Sequence, residues 1–551
     1  MLTPDMIMND IKGQATIPRL FLYRAECLEK KRFLNVMRDR QPPLALTWSE
    51  VAEAVCARAA WLQAQGLRAG ERVVLVSENS VEWIVTHLAT LACGGVVAPQ
   101  YANANFVDWD RSVEQLTPRF IFASEACLAR WPGAAVRGAR SLSGIADVDP
   151  EKFDTTALSR AEADDDALIF LTSGTSGEAK FARLSHRNVF WNAIGAAERH
   201  SHYGLEDNRF LSFLPLAHSY EHSAGFIFPM TMGSEIFISR GPDHLRQEML
   251  EARPTVITCV PRFVQMIERR MRTKVDQSGF LKRNLFHAAL ATGRKRITGE
   301  PLFPLERLLD FLLERLVRNK IRAGFGGDLR CILSAGSPLS RETILFFHAL
   351  GVEVHQAYGQ TEAAPAISMT RGDRPNPGSV GGPLLGVAIR LAEDGEVLVR
   401  GPNVMRGYIG DEASPVDAQG WLATGDIGRL DEHGDLWIVD RKRDIQKTPG
   451  GEMFAPAQIE SALEAMDMVA SAYVSLDEKG HGFALLTPVG DATEDDMRRC
   501  VDAVNADLPA WARIRRCRAI PPITIDAGLM TPTMKARRTQ IFAAYSESTR
   551  H

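Results

Sequence analysis

Three separated segments and one late lysine carry side chains suited to the parts of a nucleotide. Thr172, Ser173, Gly174, Thr175, Ser176, Gly177 and Lys180 stand in TSGTSGEAK, which combines two glycines, four hydroxyls and a cation. The glycines let successive backbone N–H groups turn toward one point, the hydroxyls add donors, and the lysine adds charge, as a phosphate cradle requires. It is not the Walker pattern, because no Gly-Lys-Ser/Thr follows at the required spacing, and the chain has no GxGxxG fingerprint. YGQTE, Tyr358 to Glu362, offers a ring that can stack on a purine, a hydroxyl at Thr361 for a phosphate oxygen, and the Glu362 carboxylate. Glu362 is a hard oxygen ligand suited to Mg²⁺, which takes few protein carboxylates and completes its shell with substrate phosphates. Between Gly420 and Lys447, Asp426 follows a glycine and can accept both ribose hydroxyls, and Arg441 can hold the ribose or a phosphate. Lys535 in TPTMKARR completes the set. Taken singly, each is more often a surface turn, a capped strand end or a surface charge. The four in this order are hard to obtain by chance.

The elements that must position these residues alternate in type. Val73 to Val76 reads as a buried strand, Val81 to Cys93 as a helix, and a further strand is expected near Val96. Ala167 to Leu171 is a strand running into the Thr/Ser/Gly loop. Val256 to Val260 and Cys331 to Ser334 are short strands ending in loops, and a strand from Val352 to His355 precedes YGQTE. Strands alternating with helices predict doubly wound, mostly parallel sheets, with ligands beyond the carboxyl ends of the strands. After about Gly378 the pattern changes to strands separated by turns, such as Glu396 to Val399 and Leu436 to Val439, predicting a small antiparallel sheet or barrel over about 378–440. The charged stretch 441–447, followed by Pro449-Gly450-Gly451, is expected to be a hinge between a large domain of residues 1–440 and a small α+β domain of 448–551. Leu305, Leu308, Leu309, Leu312, Leu313 and Leu316 follow helical spacing. That stretch, 305–317, reads as an amphipathic helix packed on the protein, or as a membrane-surface contact.

Composition bounds the remainder. The chain has 551 residues, 45% hydrophobic and 24% charged, with a net charge of −4. That is long enough for several domains and gives no reason to expect a nucleic-acid partner. No apolar run is long enough to cross a bilayer, and no secretion signal is read at the N-terminus. Eight scattered cysteines without a CxxC pair argue against a zinc site or a disulfide framework and fit a reducing cytoplasm, with the inner membrane surface as a peripheral location.

These segments resemble the adenylate-forming superfamily of acyl-CoA synthetases, luciferases and peptide-synthetase adenylation domains, from about Leu20 to Arg538. The likeness is greatest to the long-chain fatty acyl-CoA synthetases, through LPLAHSYEH (Leu214 to His222), RPTVITCVPRFV, FGGDLRCILSAGSPLS, the Gly451-Glu452 pair of DRKRDIQKTPGGEMFAPAQIE, and TPTMKARR. The resemblance implies a large α/β domain with a small antiparallel barrel and a mobile C-terminal α+β domain. It implies ATP, coenzyme A and a medium- to long-chain fatty acid as substrates, with Mg²⁺ as cofactor. By position, Thr172 to Lys180 would hold the β- and γ-phosphates, with Thr172 also offering an oxygen to the metal and Lys180 serving catalysis. Ala335, Gly336, Gln356, Ala357, Tyr358 and Gly359 would surround the base. Thr361 would contact the α-phosphate, Glu362 would hold Mg²⁺, and Asp426 and Arg441 would hold the ribose. His218 and Tyr220 would lie at the acyl carboxylate and channel, Arg443 at the hinge, Lys447 in the thioester step, and Lys535 on the carboxylate and α-phosphate oxygens. One departure stands out: the family's Pro-Lys-Gly after the phosphate loop is Ala179-Lys180-Phe181 here.

The reaction so implied is attack of a carboxylate on the α-phosphate with release of pyrophosphate, then transfer of the acyl group to a thiol. Alternatives are an acyl-adenylate ligase loading a carrier-protein phosphopantetheine, a ligase for an aryl or shorter-chain acid, and a non-catalytic nucleotide- or lipid-binding protein.

Overall fold

The computed structural model describes residues 16–545 apart from 144–147, 174–178, 204–206, 373, 375, 411–413, 525–526 and 531–535. Val73 to Val76 lie in a fully buried part of the strand Arg72–Val76, as expected for an uninterrupted apolar run between two helical layers. That strand sits within a seven-stranded sheet ordered Gly407–Tyr408, Ala179–Ser185, Asp166–Ser173, Val96–Gln100, Arg72–Val76, Phe120–Ala123, Ala139–Ser141. The helix Val81–Ala92 covers it, started by the Ser80 hydroxyl accepting from the Trp83 N–H. A nine-stranded sheet runs Gly382–Pro383, Ala366–Met369, Glu353–Gly359, Cys331–Ala335, Val256–Cys259, Arg209–Ser212, Glu235–Ile238, Arg32–Arg38, Gln41–Thr47. Its six inner strands, from Glu353–Gly359 to Arg32–Arg38, are parallel, and antiparallel strands close both edges. This is the mixed α/β architecture the alternation predicts.

Two details differ from expectation, and one was not foreseen: the strand after the Thr/Ser/Gly loop, Ala179–Ser185, returns antiparallel to Asp166–Ser173, with Thr172 opposite Lys180. The strand before YGQTE runs on through Gly359, because its antiparallel partner Ala366–Met369 pairs with Ala357 to Gly359. The region after Gly378 forms an open four-stranded antiparallel sheet, Ala388–Leu391, Glu396–Arg400, Leu422–Leu430, Leu436–Arg441. Its outer strands do not pair with each other to close a barrel, and Gly407–Tyr408 leaves it to extend the seven-stranded sheet.

The last hundred residues carry their own core. Val469–Leu476 and Gly482–Pro488 pair antiparallel, Ile514–Ala519 joins parallel, and the helices Pro456–Glu464 and Glu494–Ala506 pack around Val474, Leu486 and Met497. Arg269 on the helix Pro261–Asp276 donates to the Glu464 carbonyl at 2.9 Å, tying this unit to the rest of the molecule.

The leucine-spaced segment forms the helix Pro304–Leu313, continued as a wider turn over Glu314–Arg318. The expectation that it packs through its leucines holds for Leu313, which is fully buried, and fails for the other five. Its buried side chains include Asp310 and Arg318, and Leu305, Leu308, Leu309, Leu312 and Leu316 are exposed. The reason is an ion network. Asp310 accepts from Arg318 at 2.7 Å, Thr292 at 2.7 Å and Arg296 at 3.1 Å, and Lys295 bonds Glu306 at 2.6 Å. Arg318, with no exposed surface, also donates to the carbonyls of Ala289 and Ala349. A buried guanidinium needs all these partners, and meeting that need turns the polar face inward.

Candidate active site

The hairpin Asp166–Ser173/Ala179–Ser185 delivers Thr172 and Lys180 side by side. Gly174, Thr175, Ser176 and Gly177 lie outside the described residues. Thr172 Oγ1 is buried and, among the described residues, has no hydrogen-bond partner. The short helical turn Thr361–Ala363 packs against the Lys180-bearing strand. Tyr408, paired in register with Ala182, joins the two: its ring lies 4.9 Å below Lys180 Nζ, and its hydroxyl donates to Glu362 Oε1 at 2.7 Å. The turn is held from behind. Asn192 and Asn403 both donate to the Ala366 carbonyl, at 2.7 and 3.0 Å, and Met405 N–H to the Glu362 carbonyl at 2.9 Å. Gly359 is required just before it, since a Cβ there would stand 1.9 Å from the Pro365 carbonyl oxygen.

These residues fit Mg²⁺. One Glu362 oxygen accepts the tyrosine's hydrogen bond, leaving the other for a metal, and Thr172 offers a buried oxygen that nothing described satisfies. Among the described residues no three His, Cys, Asp or Glu side chains converge. A single protein carboxylate suits a cation that keeps water and phosphate oxygens.

On the neighbouring side, Asp426 and Arg441 face each other across the antiparallel pair, with Arg441 Nε 2.8 Å from Asp426 Oδ1. The Tyr358 hydroxyl donates to Asp426 Oδ2 at 2.6 Å. Burial, then the adjacent Asp426 charge, pushes the phenol well above its ordinary range, so it remains a donor. The candidate stacking ring and the candidate ribose carboxylate are thus one unit. Gln356 is buried between Leu339 N–H, which it accepts at 3.0 Å, and the Ser379 carbonyl, to which it donates at 2.9 Å. Its side chain therefore pins the loop after Ala335, where Gly336 adopts φ +97°, a left-handed backbone that favours glycine. Ala357 lies opposite Ala335 in adjacent parallel strands.

LPLAHSYEH adjoins the same turn. Ser219 and Thr361 hydroxyls lie 2.9 Å apart. His218 caps the short helix Ser219–Glu221, its Nδ1 accepting from Tyr220 N–H at 3.1 Å, which leaves the proton on Nε2. Its ring lies 6.2 Å from Tyr101. Tyr220 is buried, and its hydroxyl donates to the Leu333 carbonyl at 2.8 Å. Beside it Glu221, fully buried, accepts from Ser212 at 2.6 Å and Thr258 at 2.8 Å. Burial pushes its carboxyl up to about 8 despite those bonds.

Arg443 is exposed beside Asp444. Lys447 lies in a two-stranded pair opposite Met453, and its neighbour Gln446 bonds Ser475 of the small sheet at 2.9 Å. Lys535 lies outside the described residues. Its flanks Met530 and Ala536 are bridged, and Arg538 grips half-buried Glu460 at 2.6 and 2.8 Å.

A family model described as AMP-binding enzyme matches residues 28–409. The chain belongs to this family. The AMP-binding span holds Thr172, Lys180, Thr361, Glu362 and Tyr408 and ends before Asp426, Arg441 and Lys535. Long-chain-fatty-acid–CoA ligase FadD15 of Mycobacterium bovis is 31% identical over 90% of each chain. Long chain acyl-CoA synthetase 6, peroxisomal, of Arabidopsis thaliana is 29% identical over 91% of this chain and 80% of its own. Among solved structures, anthranilate CoA ligase AuaEII in complex with anthranoyl-AMP superposes with a TM-score of 0.74 at 19% identity, covering 96% of this chain and 97% of that one. ATP-bound MatB from Rhodopseudomonas palustris gives 0.73 at 22%, covering 98% and 100%. These likenesses establish that the AMP-binding fold extends over nearly the whole chain.

Sequence reasoning missed Tyr408, Asn192, Asn403 and Ser219. Ser219 stood inside a segment already singled out. The other three are remote in sequence, and only sheet pairing and packing bring them to Glu362.

Proposed function

We propose that this AMP-binding enzyme converts a medium- to long-chain fatty acid, with ATP and Mg²⁺, to acyl-AMP and pyrophosphate, and then transfers the acyl group to coenzyme A. The observation that carries the reading is the convergence on one turn of Lys180 through Tyr408, of Glu362, and of Thr361 through Ser219. It joins candidate phosphate, metal and acyl elements through one cation–π contact and two hydrogen bonds. The fatty-acid class is supported by the names of the curated relatives and by the buried, apolar-bodied Tyr220 next to Ser219.

In the first step a carboxylate oxygen attacks the α-phosphorus, the bond to the β-phosphate oxygen breaks, and pyrophosphate leaves with the electron pair. Such in-line displacement depends chiefly on placement and charge stabilisation. Lys180 opposes charge on the leaving phosphates, and Thr361 orients the α-phosphate. Tyr358, Asp426 and Arg441 hold the nucleoside. His218, with its proton on Nε2, is a donor for the acid's carboxylate. Mg²⁺, held by Glu362 and Thr172, would supply Lewis-acid charge compensation at the phosphate oxygens. Lys535 would serve the same charge from the C-terminal unit. In the second step the thiol loses its proton and attacks the acyl carbonyl, and AMP leaves. We assign residues 448–551 to a mobile domain turning about 441–447 at Arg443, which withdraws Lys535 and brings Lys447 toward the thioester step.

The test is a panel of saturated fatty acids of increasing length plus benzoate, reading AMP with and without coenzyme A and with a carrier protein as the other acceptor. Coenzyme A-dependent AMP and pyrophosphate formation with the longer acids is expected. ADP and phosphate as products would reject the mechanism, and preference for benzoate or the carrier would reject the substrate assignment.

A further inference from the structure

Apart from the buried Leu313, the leucines of the Pro304–Leu313 helix are turned away from the protein, and their surroundings indicate what they meet. At 100° per residue, positions 305, 308, 309, 312 and 316 fall in one stripe, and all five leucines are exposed, Leu305 at 81% and Leu308 at 61%. Phe303, at 70%, stands beside the N-terminus of the same helix, and Phe280 and Leu281, both above 70%, begin the preceding antiparallel helix Phe280–Thr298. The leucine stripe with Phe303 at its start is an exposed apolar surface of the kind that marks an interaction site, and Phe280 and Leu281 stand at the far end of the neighbouring helix. It is also the reverse of an ordinary surface helix, which buries its apolar stripe. The face that docks on the protein is centred on the Arg318–Asp310 ion pair, with Leu313 the one leucine of the set in the core beside it. The outward orientation of the leucines is therefore fixed by a buried network and is not a loosely held side-chain arrangement.

Charge identifies the occupant. Residues 280–322 contain ten Lys and Arg against four Asp and Glu, an excess of six positive charges in a chain whose net charge is −4. Lys282, Arg283, Arg296, Arg307, Arg315 and Lys320 are exposed around the stripe. Apolar side chains ringed by cations complement a surface with acyl chains below anionic headgroups. A second copy docked face to face would set two such excesses against each other.

We propose that the leucine stripe of residues 304–318 docks this protein on the surface of an anionic phospholipid bilayer, lying in the interface plane. No helix among the described residues is long and apolar enough to cross a membrane, so the contact is peripheral. The inference goes beyond the reaction proposed above, and its test needs no turnover.

The full chain is floated with vesicles of phosphatidylcholine alone or of phosphatidylcholine and phosphatidylglycerol in equal parts, at low and high salt. Flotation with the anionic vesicles, weakened by salt, is expected. The variant L305S/L308S/L312S should partition less by on the order of a hundredfold, from the apolar area withdrawn from the interface. K282E/K320E should lose roughly fivefold per charge at low salt. Both variants should keep the parent's unfolding midpoint, since these side chains make no core contacts. Absence of wild-type binding, or equal binding of the leucine variant, overturns the proposal. Equal binding to both vesicle types overturns the anionic assignment. A wild-type dimer that becomes monomeric in the leucine variant, without vesicle binding, assigns the face to a second copy instead. Vesicle binding without acyl-CoA formation would leave the surface standing and remove the proposed reaction.

Discussion

Replacing Tyr408 by phenylalanine removes one oxygen and tests whether the site is organised as its geometry implies. The ring, 4.9 Å from Lys180 Nζ, stays; the 2.7 Å bond to Glu362 Oε1 goes. A hydrogen bond to a charged group contributes about 1.5–3 kcal/mol. If that bond fixes which Glu362 oxygen faces the metal, its loss corresponds to about 10- to 100-fold, at 1.4 kcal/mol per decade. The change should fall on the Mg²⁺ concentration needed for half-maximal rate. Tyr408→Leu removes the ring as well, and a partly desolvated cation–π contact of about 1–2 kcal/mol predicts a further five- to thirtyfold loss, now in the ATP dependence through Lys180. The assay is acid-dependent ATP–pyrophosphate exchange titrated separately with Mg²⁺ and ATP, which isolates the first half-reaction. Glu362→Gln in the Tyr408→Phe background gives the control: if the tyrosine acts through Glu362, the two losses should be far less than additive. Unchanged Mg²⁺ dependence in Tyr408→Phe, or full additivity with Glu362→Gln, would refute the coupling.

Other outcomes follow from the same geometry. Lys535→Ala should slow adenylation by about 10²–10³-fold and leave thioester formation from supplied acyl-adenylate much less affected; equal loss in both half-reactions would mean that the lysine does not alternate. Arg443→Pro fixes φ near about −65° at the proposed pivot, so pyrophosphate release should persist while acyl-coenzyme A formation stops; parent-level thioester formation would move the pivot elsewhere. Glu221, raised by burial to about 8, lies above its unfolded value. Its contribution to stability is thus complete below about pH 4 and lost as pH rises through about 8. Glu221→Gln should abolish that loss, so its thermal midpoint should gain on the parent's from about pH 5 to about pH 9; parallel curves across this window would contradict the assignment. Buried His186 and His222, lowered to about 4 and about 3, add stability as pH rises toward their unfolded value of about 6.5, opposite in sign to Glu221, and this contribution cancels between parent and variant.

Much of the molecule is determined by the sequence itself. Buried parallel strands are predominantly apolar runs, so Arg72–Val76, Val256–Cys259 and Cys331–Ala335 are legible without any partner. Capping is equally local: Ser340 before the helix Arg341–Ala349 accepts from the Thr343 N–H. The chemical residues were legible because phosphate, metal and ribose each demand particular groups in short segments. What those segments touch was not. Tyr408 meets Glu362 and Lys180 only because a two-residue strand leaves the antiparallel region and pairs with Arg183 and Ala182, a connection with no local signature. Asp426 and Tyr358 are 68 residues apart and meet through a hydrogen bond between two different sheets. Gln356, placed by sequence beside the base, has its amide engaged in pinning the loop. The Pro304–Leu313 helix shows the division most plainly. Its periodicity fixed that it is a helix with one apolar face, because 3.6-residue spacing is local geometry. Which face turns inward was decided by Arg318, whose charge, once buried among Ala289, Thr292, Asp310 and Ala349, had to be satisfied by residues that only the tertiary fold assembles.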